Sequence, residues 1–155
     1  MERGHLWRGR FKGSLFVLDL NSAGLTDELA ARRPAEGVAS AAWILGHITR
    51  TRRGILKLLD APLPEDAAFD AYGRHSEGNP GGLPYSALVE AFKATDAPMK
   101  AAIQAITDWD RPTLNPATKT EQPLEQVIAF LFSHEGYHLG QLGLIRKLLG
   151  LKGAI

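Results

Sequence analysis

Two histidines four residues apart, His134 and His138, lie in the middle of a stretch that otherwise reads as a buried helix. Alternating steps of three and four give Leu124, Val127, Leu131, His134, His138, Gln141, Ile145 and Leu148, a seam apolar at both ends and polar at its centre. A buried imidazole or amide without a partner costs about 1–3 kcal/mol, so these polar side chains call for a shared one. Side chains four apart on a helix have Cβ atoms about 5–6 Å apart, close enough for two imidazoles to converge on one cation.

A third imidazole is available upstream. Ser40, Ile44, His47, Thr51, Gly54 and Leu58 form a second helical seam, again with one histidine among apolar and small residues. Alone, His47 reads as a core histidine bonded to a carbonyl or hydroxyl. Three inward histidines on two helices favour a metal. His75, beside Arg74 and Glu77 in a loop, is expected to be exposed, with an overhang of the site as the alternative.

His134-Glu135-Gly136-Tyr137-His138 also matches the HExxH pattern of zinc peptidases, where the glutamate is the general base. Those enzymes need a further ligand downstream, and no His, Asp or Glu follows His138 in this sequence. The extended signature is absent as well, because Gly140 falls one place early. Glu135 points about 100° around the helix from His134, which suggests surface pairing. Gln141 is placed to orient a ligand or a bound water, with polar core filler as the alternative. Tyr137 and Trp43 read as packing. Arg50, almost one turn past His47, is a candidate for meeting an anionic substrate, although Arg50, Arg52 and Arg53 together read as a solvated face.

The elements that position these residues are helical. A first helix from about Trp7 carries Phe11, Leu15 and Leu18 and stops near Asn21-Ser22-Ala23-Gly24, where glycine and asparagine favour a helix end. Thr26 or Asp27 caps a short second piece ending near Arg32. Ser40 caps the helix that runs to about Leu59, before the break at 60–64. Residues 61–83 form a long loop containing Pro62, Pro64 and Pro80, long enough for a crossover in place of a tight antiparallel turn. Pro84 opens the next helix, with Leu88, Phe92, Thr95, Met99, Ala102 and Ile106 inward and a kink expected at Pro98. Trp109 to Gln122 is the last connection, and Pro123 starts the helix that holds His134 and His138. The expectation is an all-α four-helix bundle in a single domain, residues 1–155, with a short extra helix after the first.

Composition narrows the function. With 18 basic and 17 acidic side chains, the net charge of +1 gives no footprint for nucleic acid or anionic membrane. The absence of cysteine excludes a disulfide, a thiolate ligand and a cysteine nucleophile. No stretch approaches the ~20 apolar residues of a membrane span, and the apolar run from Leu15 to Leu18 is too short for a signal peptide. A cytoplasmic location is the default expectation.

His134-Glu135-Gly136-Tyr137-His138-Leu139-Gly140-Gln141-Leu142, with Leu144 to Gly150 after it, resembles the C-terminal signature of the DinB/YfiT-like family of four-helix-bundle metalloproteins. Trp43-Ile44-Leu45-Gly46-His47-Ile48 resembles the segment that supplies the family's first metal histidine, and Leu25-Thr26-Asp27-Glu28-Leu29 its turn after helix one. The resemblance spans about Leu25 to Gly150. It implies that His47, His134 and His138 bind a divalent metal, zinc or nickel, and leave positions for water or substrate. It also implies transfer of a low-molecular-weight thiol to an electrophile, or hydrolysis by a metal-activated water. A binding module without turnover, and a bundle whose histidines are only core polar groups, remain as alternatives. Dimers are common in the family, so a homodimer is expected on that ground alone.

Overall fold

A computed structural model describes residues 2–61, 63–64, 66–76 and 82–153, so Pro62, Glu77 and Pro80 of the expected loop lie outside the described residues. Helix α1 spans Glu2–Ser22, starting five residues before the Trp7 expected from its apolar pattern. It ends where Gly24 takes φ +80°, a left-handed conformation that glycine adopts without a Cβ penalty. The short α2, Asp27–Ala31, is capped by Thr26, whose side chain accepts from the Leu29 amide. Ser40 caps α3, Ala41–Leu58, by accepting from the Trp43 amide at 3.1 Å.

The expected loop after α3 contains a 3₁₀ helix, Ala67–Tyr72, whose start is capped by Asp66. The next helix is broken in two where a kink was expected. Helix α4 is Tyr85–Ala94 and α5 is Asp96–Ala105, and the break comes at Thr95, three residues before Pro98. Proline disfavours continuation of the turn preceding it, because its ring meets the backbone there. The last connection is more ordered than expected. Strands β1, Pro112–Leu114, and β2, Glu121–Pro123, pair antiparallel with Thr113 opposite Gln122, and α6, Leu124–Leu148, follows directly.

Helix α1 packs against α6 and α5, and α3 packs against α6 and α4. Directions follow from the contacts. Trp7 donates to Glu125 near the starts of α1 and α6, and Asn21 donates to the Leu139 carbonyl further along, so these two helices run parallel. Ile44 and Leu45 share an apolar cluster with Leu139 and Leu142, while Ile55 and Leu56 share one with Leu124 and Ile128, so α3 runs against α6. Ser22 meets Tyr85 and Arg8 meets Gln104, so α4 and α5 run against α1. Parallel neighbours α3 and α4 require the intervening segment to return along the bundle, which is the crossover its length permits. No helix among the described residues is long and apolar enough to cross a membrane.

Both polar helices bury a wider arc than the seams read from sequence. On α6 the seam residues Leu124, Val127, Leu131, His138 and Ile145 are buried, but so are Ile128, Glu135, Leu139 and Leu142 beside them, and Leu148 is exposed. On α3 the arc takes in Leu45, Ile48, Arg52, Ile55 and Leu56, and Gly54 is exposed. A helix with neighbours on two sides buries a broad arc, so two adjacent polar positions can both face inward.

Candidate metal centre

Helices α3 and α6 bring His47, His134 and His138 together, with their candidate ligand nitrogens all within 4.8 Å of one another. His134 Nε2 lies 3.2 Å from His47 Nε2 and 3.1 Å from His138 Nε2. A tetrahedral zinc with bonds of about 2.0–2.1 Å holds its ligand nitrogens about 3.3 Å apart, so the spacing suits one cation.

Hydrogen bonds fix two of the tautomers. His47 Nδ1–H donates to the Tyr72 carbonyl at 2.8 Å, and a carbonyl can only accept. His138 Nδ1–H donates to Gln141 Oε1 at 2.7 Å, while the Gln141 amide nitrogen donates to the Tyr137 hydroxyl. Both Nε2 atoms therefore present lone pairs toward His134. His134 Nδ1 is buried without a hydrogen-bond partner. If His134 is protonated on Nδ1, three lone pairs face one another around an orphaned donor; if on Nε2, a buried acceptor is orphaned instead. A cation among the three Nε2 atoms resolves the converging lone pairs, and the all-imidazole donor set fits a divalent transition metal.

The electrostatics agree with that fit. Burial is the main cause that lowers the pKa of all three imidazoles, and the neighbouring imidazoles add to it at His134 and His138, where the combined effect takes His138 down to about 4. Neutral imidazole is the form that binds a metal. Arg50 adds to the depression at His47 and Arg74 to that at His134, so two cations stand near the site.

Supporting contacts come from residues without a clear sequence signal. The Trp43 indole stacks on the His47 ring, with centroids 4.8 Å apart and planes 8° apart, and its Nε1–H donates to Ser76 Oγ. Tyr72 packs on Gly46, where an added Cβ would lie 2.2 Å from the tyrosine ring. That glycine lets the 3₁₀ turn approach closely enough for its carbonyl to reach His47. Of the other expected site residues, Gln141 touches His138, Arg50 is exposed one turn past His47, and His75 is exposed with φ +63°.

Two expectations are overturned. Glu135 does not pair at the surface and Arg52 does not belong to a solvated face; both are fully buried and form a bidentate pair at 2.6 and 2.9 Å. Arg52 also donates to Thr95 and to the Phe11 carbonyl and lies over the Phe92 ring, so one guanidinium ties α1, α3, α6 and the α4–α5 break together. The physical reason is the width of the arc that both helices bury, which takes in these positions beside the seams read from sequence. With both Glu135 oxygens held by Arg52, the HExxH glutamate is not free to act as a general base.

Among solved structures, the chain resembles YfiT from Bacillus subtilis, a probable metal-dependent hydrolase with an unusual four-helix-bundle topology, with a TM-score of 0.72 at 15% identity over 98% of this chain and 90% of that one. It also resembles a DinB-like protein from Bacillus cereus, with a TM-score of 0.70 at 16% identity over 96% of this chain and 91% of that one. No curated protein is significantly similar in sequence. The family model of the DinB superfamily matches residues 21–142, a span that contains all three histidines, and the chain belongs to the DinB superfamily.

Proposed function

We propose that this protein is a metal-dependent enzyme that transfers a low-molecular-weight thiol to an electrophile. The observation that carries the reading is the convergence of three Nε2 atoms, two with tautomers fixed as metal donors by Tyr72 and Gln141. A divalent zinc or nickel ion held there by three imidazoles would leave a position for an outside donor and lower the pKa of a thiol or water placed at it. The chain's own residues hold that geometry. The Tyr72 carbonyl and the Trp43 ring fix His47 in rotation and tilt, and Gln141 fixes His138. Arg50 and Arg74 favour an incoming anion.

Thiol transfer is preferred because, among the described residues, no carboxylate joins the three histidines, and Glu135 is committed to Arg52. A thiol ionises near neutrality with modest help, so its attack needs no strong base from the protein. Hydrolysis is the second reading, supported by the fold shared with YfiT and by the ability of a metal alone to bring the pKa of water to about 7.

The test is conjugation of a thiol to 1-chloro-2,4-dinitrobenzene by zinc- or nickel-loaded protein, with ester hydrolysis assayed in parallel. The account expects metal-dependent, thiol-dependent conjugation that is lost in His134→Ala. Ester hydrolysis without thiol dependence would select the second reading, and neither activity across a broad substrate set would favour a binding module.

A further inference from the structure

We propose that the outer face shared by α1 and α6 is the surface on which a second copy of the chain docks, the two copies being related by a two-fold axis that reverses the helices. Among the described residues, every exposed large apolar side chain except Leu114 lies on these two helices. Their spacing is regular. On α1, Leu6, Gly9, Gly13 and Phe16 are exposed at steps of three and four, and on α6 Phe130, Ser133, Tyr137, Gly140 and Leu144 repeat those steps. Such spacing makes a second seam along a helix, of the kind through which helices pack on one another. Both seams are turned away from the lines their helices bury, and α1 and α6 are parallel neighbours, so the seams lie side by side. By contrast, α3 exposes Arg50 and Lys57, and α4 exposes Glu90 and Lys93.

Shape, charge and area make the occupant a second copy. At Gly9, Gly13 and Gly140 an added Cβ would meet nothing within 4 Å. Glycine inside a helix costs about 0.8–1 kcal/mol relative to alanine, and among the described residues nothing fills the space these glycines leave; the close approach of another helix would. Phe16 and Tyr137 beside them give the face knobs as well as holes, which a surface that must fit itself requires. Both seams are uncharged along their length, and exposed charges stand at opposite ends of the face. Glu2 lies four residues before Leu6 on α1, and Lys147 three residues after Leu144 on α6. A two-fold axis through the middle sets Glu2 beside the partner's Lys147. Arg10, between the two helices, is laid over the Trp7 ring. Helices of 21 and 25 residues, packed side by side, offer a flat face of about 600 Å² before side-chain relief is counted, against about 800 Å² per partner in a stable interface. This interface goes beyond the metal-dependent reading and stands without it.

Sedimentation velocity of the untagged chain over a dilution series is the test, and the wild type is expected to sediment as a dimer. Phe16→Glu with Leu144→Glu brings like charges into the middle of the face and should raise the dissociation constant at least about 100-fold. Both side chains are more than half exposed, so helical circular dichroism should stay as in wild type. Glu2→Lys should weaken the dimer about 2–10-fold, and Glu2→Lys with Lys147→Glu should restore it. Should the Phe16 and Leu144 variant lose its helical signal, the charge exchange alone decides. A wild type that is monomeric up to about 100 μM, a dimer that survives Phe16→Glu with Leu144→Glu, or the absence of that loss and recovery on charge exchange overturns the proposal.

Discussion

Arg52 and Glu135 lie within a turn or two of His47 and His134 on the same two helices, yet the two polar clusters are satisfied in opposite ways. The arginine pair is closed. Both carboxylate oxygens are held, the guanidinium donates to Thr95 and the Phe11 carbonyl as well, and both side chains are fully buried. The histidine cluster is open. Two lone pairs are aimed at a third ring, a buried nitrogen has no partner, and Arg50 and Arg74 stand nearby. A polar cluster that satisfies itself specifies how helices pack; one left unsatisfied at its centre requires something from outside. Adjacent residues of α6, His134 and Glu135, thus belong to different parts of the protein's work.

If the arginine pair is structural, breaking one half should have the largest effect. Arg52→Met alone leaves a buried carboxylate and should cost about 3–5 kcal/mol in urea unfolding, whereas Arg52→Met with Glu135→Leu should recover most of the loss. A small cost for the single substitution would erase the contrast. Gly46→Ala should come next, at about 1–3 kcal/mol, because its methyl displaces the Tyr72 ring; it should also weaken metal binding about 10–100-fold by moving the carbonyl that orients His47. Gln141→Leu should weaken metal binding by a similar 10–100-fold with little change in unfolding midpoint, which separates orienting a ligand from holding the fold.

The metal-free histidines test the open cluster without its ion. Metal-free His134→Leu should stay within about 1 kcal/mol of metal-free wild type, since it removes the orphaned nitrogen but also the neighbour of the His47 and His138 Nε2 atoms. The metal-free protein should also lose stability as pH falls from about 6.5 toward 4. An unfolded histidine takes its proton at the ordinary value of 6.5, while burial holds the folded His138 neutral down to about 4. Within that window the unfolded chain binds more protons, so acidification favours unfolding. Thermal melts across this range, compared with those of His138→Leu, measure the contribution.

Much of this was legible in the sequence, because periodicity and caps are local signals. Thr26, Ser40 and the Asn21 to Gly24 stop mark their helix ends correctly, and the four-residue spacing of His134 and His138 places both imidazoles on one face. The breadth of the buried arc was less legible. Ser40, Ile44 and His47 of the α3 seam are buried, but so are Leu45, Ile48, Arg52 and Ile55 beside them, and a charged residue at a core position carries no hydrophobic signal. Leu45, Ile48, Ile55 and Leu56 share one face of α3, and Arg52 falls among them. The contacts of Tyr72 with Gly46 and His47, and of Trp43 with Ser76, join residues 25 to 33 positions apart, so no local pattern reports them. The hairpin leaves no pattern in the sequence because its strands are only three residues each, too short for an alternation to register.

The central claim, that an open cluster of three imidazoles holds a metal, is tested most directly by elemental analysis of protein purified without an affinity tag, beside His47→Ala and His138→Ala. The account predicts close to one zinc or nickel per chain in wild type and loss of that metal in both variants, with folding retained. Wild-type protein that is metal-free and cannot be reloaded at neutral pH, or variants that keep the metal, would contradict it.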